Sequence, residues 1–159
     1  IYRTKDRSVN SVILLGSAND IVAEKKRVGV KKFDEDLNLA KKLFKKNPES
    51  IFTSSGYLFS AARYLSLCTP GTPEDVFPYY NPNAEWKELK SIKCPLAVII
   101  GSKDECLDRP ATEFIKIFSE KAQATEKFAG IIIKGADHGF RKKEKEVSEE
   151  IIRFIKIGP

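Results

Sequence analysis

Three short apolar runs punctuate the chain: Val12 to Leu15, Leu96 to Ile100 and Ile131 to Ile133. Each is continuous rather than alternating, which is the pattern of a strand buried on both faces of a parallel sheet. Each also runs on into glycine, at Gly16, Gly101 and Gly135. Between and after these runs, apolar residues recur at spacings of three, four and seven. The sets are Leu37, Ala40 and Phe44; Phe114, Ile115, Phe118 and Ala122; and Val147, Ile151, Phe154 and Ile155. Such spacing places each set on one face of a helix. Asp108 reads as the cap of a helix with Pro110 in its first turn, and Asn47-Pro48 ends an earlier one. The order of strand, helices, strand, helix, strand, helix predicts an α/β fold whose parallel strands are joined by crossover helices.

Residues 17 to 90 are too long for a single crossover and are broken at Ser54-Ser55-Gly56 and at Thr69-Pro70-Gly71-Thr72-Pro73. A helical excursion off the sheet over 18 to 90 is expected there. The aromatic residues Phe77, Tyr79, Tyr80 and Trp86 at its end could line a pocket under a lid, or could pack the excursion onto the sheet. Three strands are few for an open parallel sheet, so further strands are expected upstream. The 159 residues contain no methionine, and the chain reads as the C-terminal part of a longer product.

Composition narrows the function classes. Lys and Arg total 28 against 22 for Asp and Glu, but the signs are mixed along nearly every polar stretch. A nucleic-acid binder concentrates its cations and interleaves aromatic residues; only Lys25-Lys26-Arg27 and Arg141-Lys142-Lys143 cluster, so no nucleic-acid partner is expected. No apolar run approaches the roughly 20 residues that span a bilayer. Cys68, Cys94 and Cys106 cannot all pair with one another and lie in no CxxC motif, so a reducing, cytoplasmic location is expected.

The chemistry concentrates at two strand ends. Asp104 follows the run that closes at Gly101, and His138, the chain's only histidine, follows the run that ends near Gly135. Ligands of open α/β sheets bind at that edge. A neutral imidazole accepts a proton from a nucleophilic hydroxyl when a carboxylate behind it fixes the tautomer and stabilises the imidazolium, so Asp104 would orient and His138 would act as base and then acid. Gly135 and Gly139 are expected to give His138 an uncrowded turn. Asp108 is a weaker candidate for the acid. Asp137 reads as a turn residue, and Cys106 stands beside the acid rather than opposite the imidazole. Asp34-Glu35-Asp36 looks like a metal-binding run, but is expected to open a helix, where carboxylates favour the positive end of the dipole.

These motifs resemble the last third of the α/β-hydrolase superfamily, in which a strand ending Gly-x-x-Asp supplies an acid and a loop of the type Gly-x-x-His-Gly-Phe supplies a base. The resemblance covers residues 94 to 157, and Val9 to Ser17 is similar to the strand after the nucleophile's helix. It implies a serine upstream of the acid and the histidine in chain order. No Gly-x-Ser-x-Gly occurs here, and Ser17, after Gly16, lacks the second glycine. On this reading Ile1 to Asn10 would be the tail of the helix that follows the nucleophile, and 18 to 90 the lid or cap. The expected activity of the full-length protein is that of a serine esterase or acyl-hydrolase on a small-molecule ester or acyl substrate, without a cofactor and without a metal. An exposed sheet edge would allow homo-oligomers. The alternative is a non-catalytic homologue or fragment that acts as a binding module. A doubly wound nucleotide-binding domain fits the element order, but GxGxxG and GxxxxGK[ST] are both absent.

Overall fold

The computed structural model describes residues 8–156; the expectation for Ile1 to Asn10 lies mostly outside them. Three parallel strands, β1 (Val12–Leu15), β4 (Leu96–Gly101) and β5 (Phe128–Ile133), form one sheet in the order β1-β4-β5. All six residues of the central strand β4 are buried, which is why its sequence shows no alternation. Leu96, Val98 and Ile100 pack on one side with Phe114 and Phe118 of α5 (Ala111–Lys121). Ile99 packs on the other with Ile133, Ala136, Phe140 and Val147, the last on α6 (Glu144–Lys156). Alternate β4 side chains thus serve two cores, and helices cover both faces. The fold is α/β with a parallel sheet and crossover helices, as the apolar runs predicted.

β5 begins three residues before its predicted start. Gly130 interrupts the run, and Ile115 of α5 occupies the space where a β-carbon would stand. β1 is paired only with β4 among the described residues, and Leu15 at its end is exposed.

Between β1 and β4 lie α1 (Asp20–Val28), α2 (Val30–Lys46), a hairpin of β2 (Ile51–Ser54) and β3 (Tyr57–Ser60), α3 (Ala61–Cys68) and the single turn α4 (Lys87–Lys90). The stretch is therefore not all helix. Ser55 and Gly56 both have positive φ, 54° and 80°, the backbone of the tight hairpin turns that match strand twist. Ile21, Phe33, Ala40, Phe52, Tyr64 and Cys68 give this region a core of its own. Phe44, placed by its spacing on the same face as Ala40, is largely exposed. Its chain neighbours explain why: α2 ends at Lys46, with Asn47 as its cap.

Two cap expectations fail. Asp34-Glu35-Asp36 does not open a helix: Gly29, at φ 82°, joins α1 to α2, so α2 starts at Val30 and the acidic run sits a turn inside it. Asp36 is instead buried, where its carboxylate meets Ser54 Oγ at 2.8 Å and Lys32. Pro110, rather than Asp108, stands at the start of α5, with no side-chain cap. The aromatic residues at the end of the excursion pack onto the sheet side: Trp86 and Phe77 meet Phe118, and Tyr79 meets Phe114. No helix among the described residues is long and apolar enough to cross a membrane.

Candidate active site

Parallel pairing of β4 with β5 brings their C-terminal ends level, Gly101 opposite Ile133, so the two turns that follow lie side by side. Backbone and side-chain bonds stitch them together. Ser102 N donates to Ile133 O at 3.0 Å, Lys103 N to Ala136 O at 2.9 Å, and Gly135 N to Ser102 Oγ at 2.8 Å. The crossing is so close at Gly101 that an added β-carbon would lie 2.7 Å from Asp137 O. Glycine at the strand end is thus a requirement of the crossing, beyond its role as a breaker.

From these turns Asp104 and His138 meet. Asp104 Oδ2 lies 3.0 Å from His138 Nδ1, and Oδ1 accepts from Cys106 N at 2.8 Å. The carboxylate is fully buried, whereas the imidazole is 39% exposed. A buried carboxylate is costly unless bonded, and both oxygens here are. The hydrogen bond that His138 Nδ1 donates to the Asp104 carboxylate, with a smaller contribution from Cys106, raises the His138 pKa from 6.5 to about 10, against the opposing effect of burial. The pair therefore favours the imidazolium, the form a base acquires when it takes up a proton.

Two further contacts hold His138 in place, one at its backbone and one at its ring, and chain order gave no sign of either. Glu105 Oε2 accepts from His138 N at 3.0 Å. Gly16, at φ 56°, brings the end of β1 against the ring: a β-carbon there would sit 3.3 Å from Cε1. The turn around the histidine is uncrowded at both glycines, as expected: a β-carbon on Gly135, at φ 75°, would meet nothing within 4 Å, and one on Gly139 nothing nearer than 3.9 Å; the left-handed residues beyond the histidine are Phe140 and Lys142.

The competing candidates fall elsewhere. Asp108 is exposed and paired with Arg109 at 2.8 Å, which holds its carboxyl below the usual range. Asp137 is engaged by Arg141 through N and Nε at 2.9 and 2.7 Å, again lowering its pKa. Ser17 forms no hydrogen bond with His138 among the described residues. Cys106 is the exception: its Sγ lies within 4.8 Å of both the Asp104 carboxylate and a ring nitrogen of His138. A cleft of about 420 Å³ between Pro70, Thr72, Tyr80 and Lys87 is lined by neither Asp104 nor His138.

The family model for the dienelactone hydrolases matches residues 16–153, from the glycine that closes β1 to within α6. The chain belongs to the dienelactone hydrolase family. That family is part of the α/β-hydrolase superfamily, so this family member is of the α/β-hydrolase type, in agreement with its parallel sheet and crossover helices. The search of curated proteins returned no match. The matched span includes Asp104 and His138, and also the region from α1 to α4.

Proposed function

We propose that the full-length protein is a serine hydrolase of esterase or acyl-hydrolase type, in which Asp104 orients His138 and the nucleophilic serine lies upstream of these 159 residues. The observation that carries this reading is the 3.0 Å contact between a fully buried carboxylate and a half-open imidazole at the C-terminal edge of the sheet. With Nδ1 held by Asp104, Nε2 is left to face the nucleophile. It takes the serine proton as the oxygen attacks the carbonyl carbon of a small-molecule ester or acyl substrate. The tetrahedral intermediate collapses, and the leaving oxygen departs with that proton, giving an acyl-enzyme. His138 then draws a proton from water, whose oxygen attacks the acyl carbon; as the bond to the serine oxygen breaks, His138 returns that proton to the serine and the acid leaves.

Residues 18–90 serve as the cap over this edge; their separate core supports that role. Among the described residues β1 pairs only with β4, and its other side supports strand pairing with further chain, from the same molecule or from another copy. The buried thiols of Cys68 and Cys106, neither joined in a disulfide, favour the cytoplasm. The test is His138→Ala in the natural full-length protein. Hydrolysis of an activated ester should fall by several orders of magnitude, and retention of full activity would remove His138 from the mechanism.

A further inference from the structure

We infer that Asp104, Cys106 and His138 together form a binding site for a thiophilic divalent cation of the zinc type, and that filling it switches the hydrolase off. The binding half stands on the geometry alone; the switching half rests on His138 being the base.

The donor set carries the inference. A carboxylate oxygen, a thiol sulfur and an imidazole nitrogen, one from each residue, lie within 4.8 Å of one another. Thiolate, imidazole and carboxylate are the three side-chain donors that zinc takes, whereas magnesium and calcium prefer oxygen alone. Asp104 and His138 are already 3.0 Å apart. The Cys106 sulfur is therefore the atom that has to close, and bonds of about 2.0–2.3 Å to a tetrahedral ion are reached by side-chain rotation within one loop and its neighbour. Cys106 N is bonded to Asp104 Oδ1 and His138 N to Glu105 Oε2, so both ligand-bearing loops are braced behind the donors. Cys106 and the Asp104 carboxylate are buried while the imidazole is partly open. That leaves an approach for the ion from the His138 side and a fourth position for water.

Coordination forms one bond from the ion to each donor and releases protons to solvent: the Cys106 thiol proton, and a proton from His138 where the imidazole carries two. A doubly charged cation against one thiolate and one carboxylate gives a neutral cluster. The effect on catalysis does not depend on which nitrogen binds. Coordination through Nδ1 removes the hydrogen bond to Asp104, and coordination through Nε2 removes the atom that accepts the serine proton.

The test uses the natural full-length protein treated with chelator, titrated first with cobalt(II) alone and then with zinc alone. The expected result is a near-ultraviolet thiolate-to-cobalt charge-transfer band that saturates, is displaced by zinc, is lost in Cys106→Ser and persists in Cys94→Ser. Zinc should also suppress ester hydrolysis reversibly, with activity returning on chelation. X-ray absorption at the zinc edge of the unsubstituted protein should find a sulfur ligand, a check that needs no variant to fold. A band that survives Cys106→Ser, or a sulfur-free zinc shell, overturns the site. A band that behaves as expected in a protein whose hydrolysis does not depend on His138 keeps the site and removes the catalytic reading. His138-dependent hydrolysis with no band does the reverse.

Discussion

Gly101→Ala offers a sharp perturbation of the site, because the added methyl meets backbone and not a movable side chain. In the native geometry it would stand 2.7 Å from Asp137 O and 2.8 Å from Ala136 C, and nearer still to Ala136 O. Ordinary contact begins at 3.4 Å, so the loop that carries His138 must retreat from β4 by roughly 1 Å, an overpacking that costs about 1–3 kcal/mol. The same movement strains the 2.9 Å bond from Lys103 N to Ala136 O, adding about 1 kcal/mol. Asp104 cannot follow, since Cys106 N pins it on the β4 side. The contact with His138 therefore opens, and a misplacement of about 1 Å corresponds to roughly 10²-fold in rate. Stability is read by denaturant titration with the fluorescence of Trp86, the only tryptophan and fully buried, and catalysis by kcat/KM on an activated ester. Gly71→Ala is the control: Gly71 has φ 76° with nothing near its β-carbon position and lies outside the site. It should lose about 1 kcal/mol from backbone strain, with kcat/KM intact. If Gly101→Ala kept native stability and native kcat/KM, the account of how β4 and the histidine loop define the site would be wrong.

Four further outcomes are expected. Asp104→Asn leaves the fold but supplies the wrong hydrogen-bonding partner, and should lower kcat by about 10⁴-fold; a loss under tenfold in single-turnover kinetics would deny Asp104 its orienting role. Because His138 is raised from 6.5 to about 10, chiefly by Asp104, and a base works only when deprotonated, kcat/KM measured with chelator present should rise with pH along a limb displaced to the alkaline side of 6.5. The stabilisation from this pair is fully present below 6.5 and is lost as pH rises through about 10, so Tm should decline over that window, and a wild-type limb at or below 6.5 contradicts the pairing. Phe118→Ala removes the ring against which Phe77, Trp86 and Phe114 pack and should cost about 3–5 kcal/mol in denaturant titration, a cost under 1 kcal/mol counting against that core. Ser54→Ala withdraws the hydroxyl that lies 2.7 Å from Glu24 Oε1 and 2.8 Å from Asp36 Oδ2 and whose one proton serves one of the two buried carboxylates at a time; its loss should cost about 1–3 kcal/mol, and a neutral outcome would show that Lys32, Arg27 and Ser55 suffice.

β4 was legible because burial on both sides erases alternation; β1 and β5 carry continuous apolar runs as well, although each is only partly buried and has an exposed position. β1 was found to the residue, while β5 was shortened because Gly130 broke its apolar run for a reason that lies on α5. The hairpin was hidden for a different cause. Its strands are four residues each, and Ser55-Gly56 is a weaker turn signal than Asn-Gly or Asp-Gly, so the break was visible but not its kind. The helix starts were misjudged wherever acidic residues were taken as caps: α2 is set by Gly29, and the carboxylate of Asp36 is used inside the protein. Asp104 and His138 could be singled out because each closes a strand and parallel neighbours end level. Gly16, Glu105 and the approach of Cys106 could not, because those contacts form across neighbouring strand ends and no spacing along the chain encodes them.

The most direct test of the central claim is to label the active full-length protein with a fluorophosphonate and map the adduct by peptide mass spectrometry. The account requires a single modified serine upstream of Ile1, with labelling that collapses in His138→Ala. An adduct on Ser17, or an active preparation with no serine adduct at all, would contradict it.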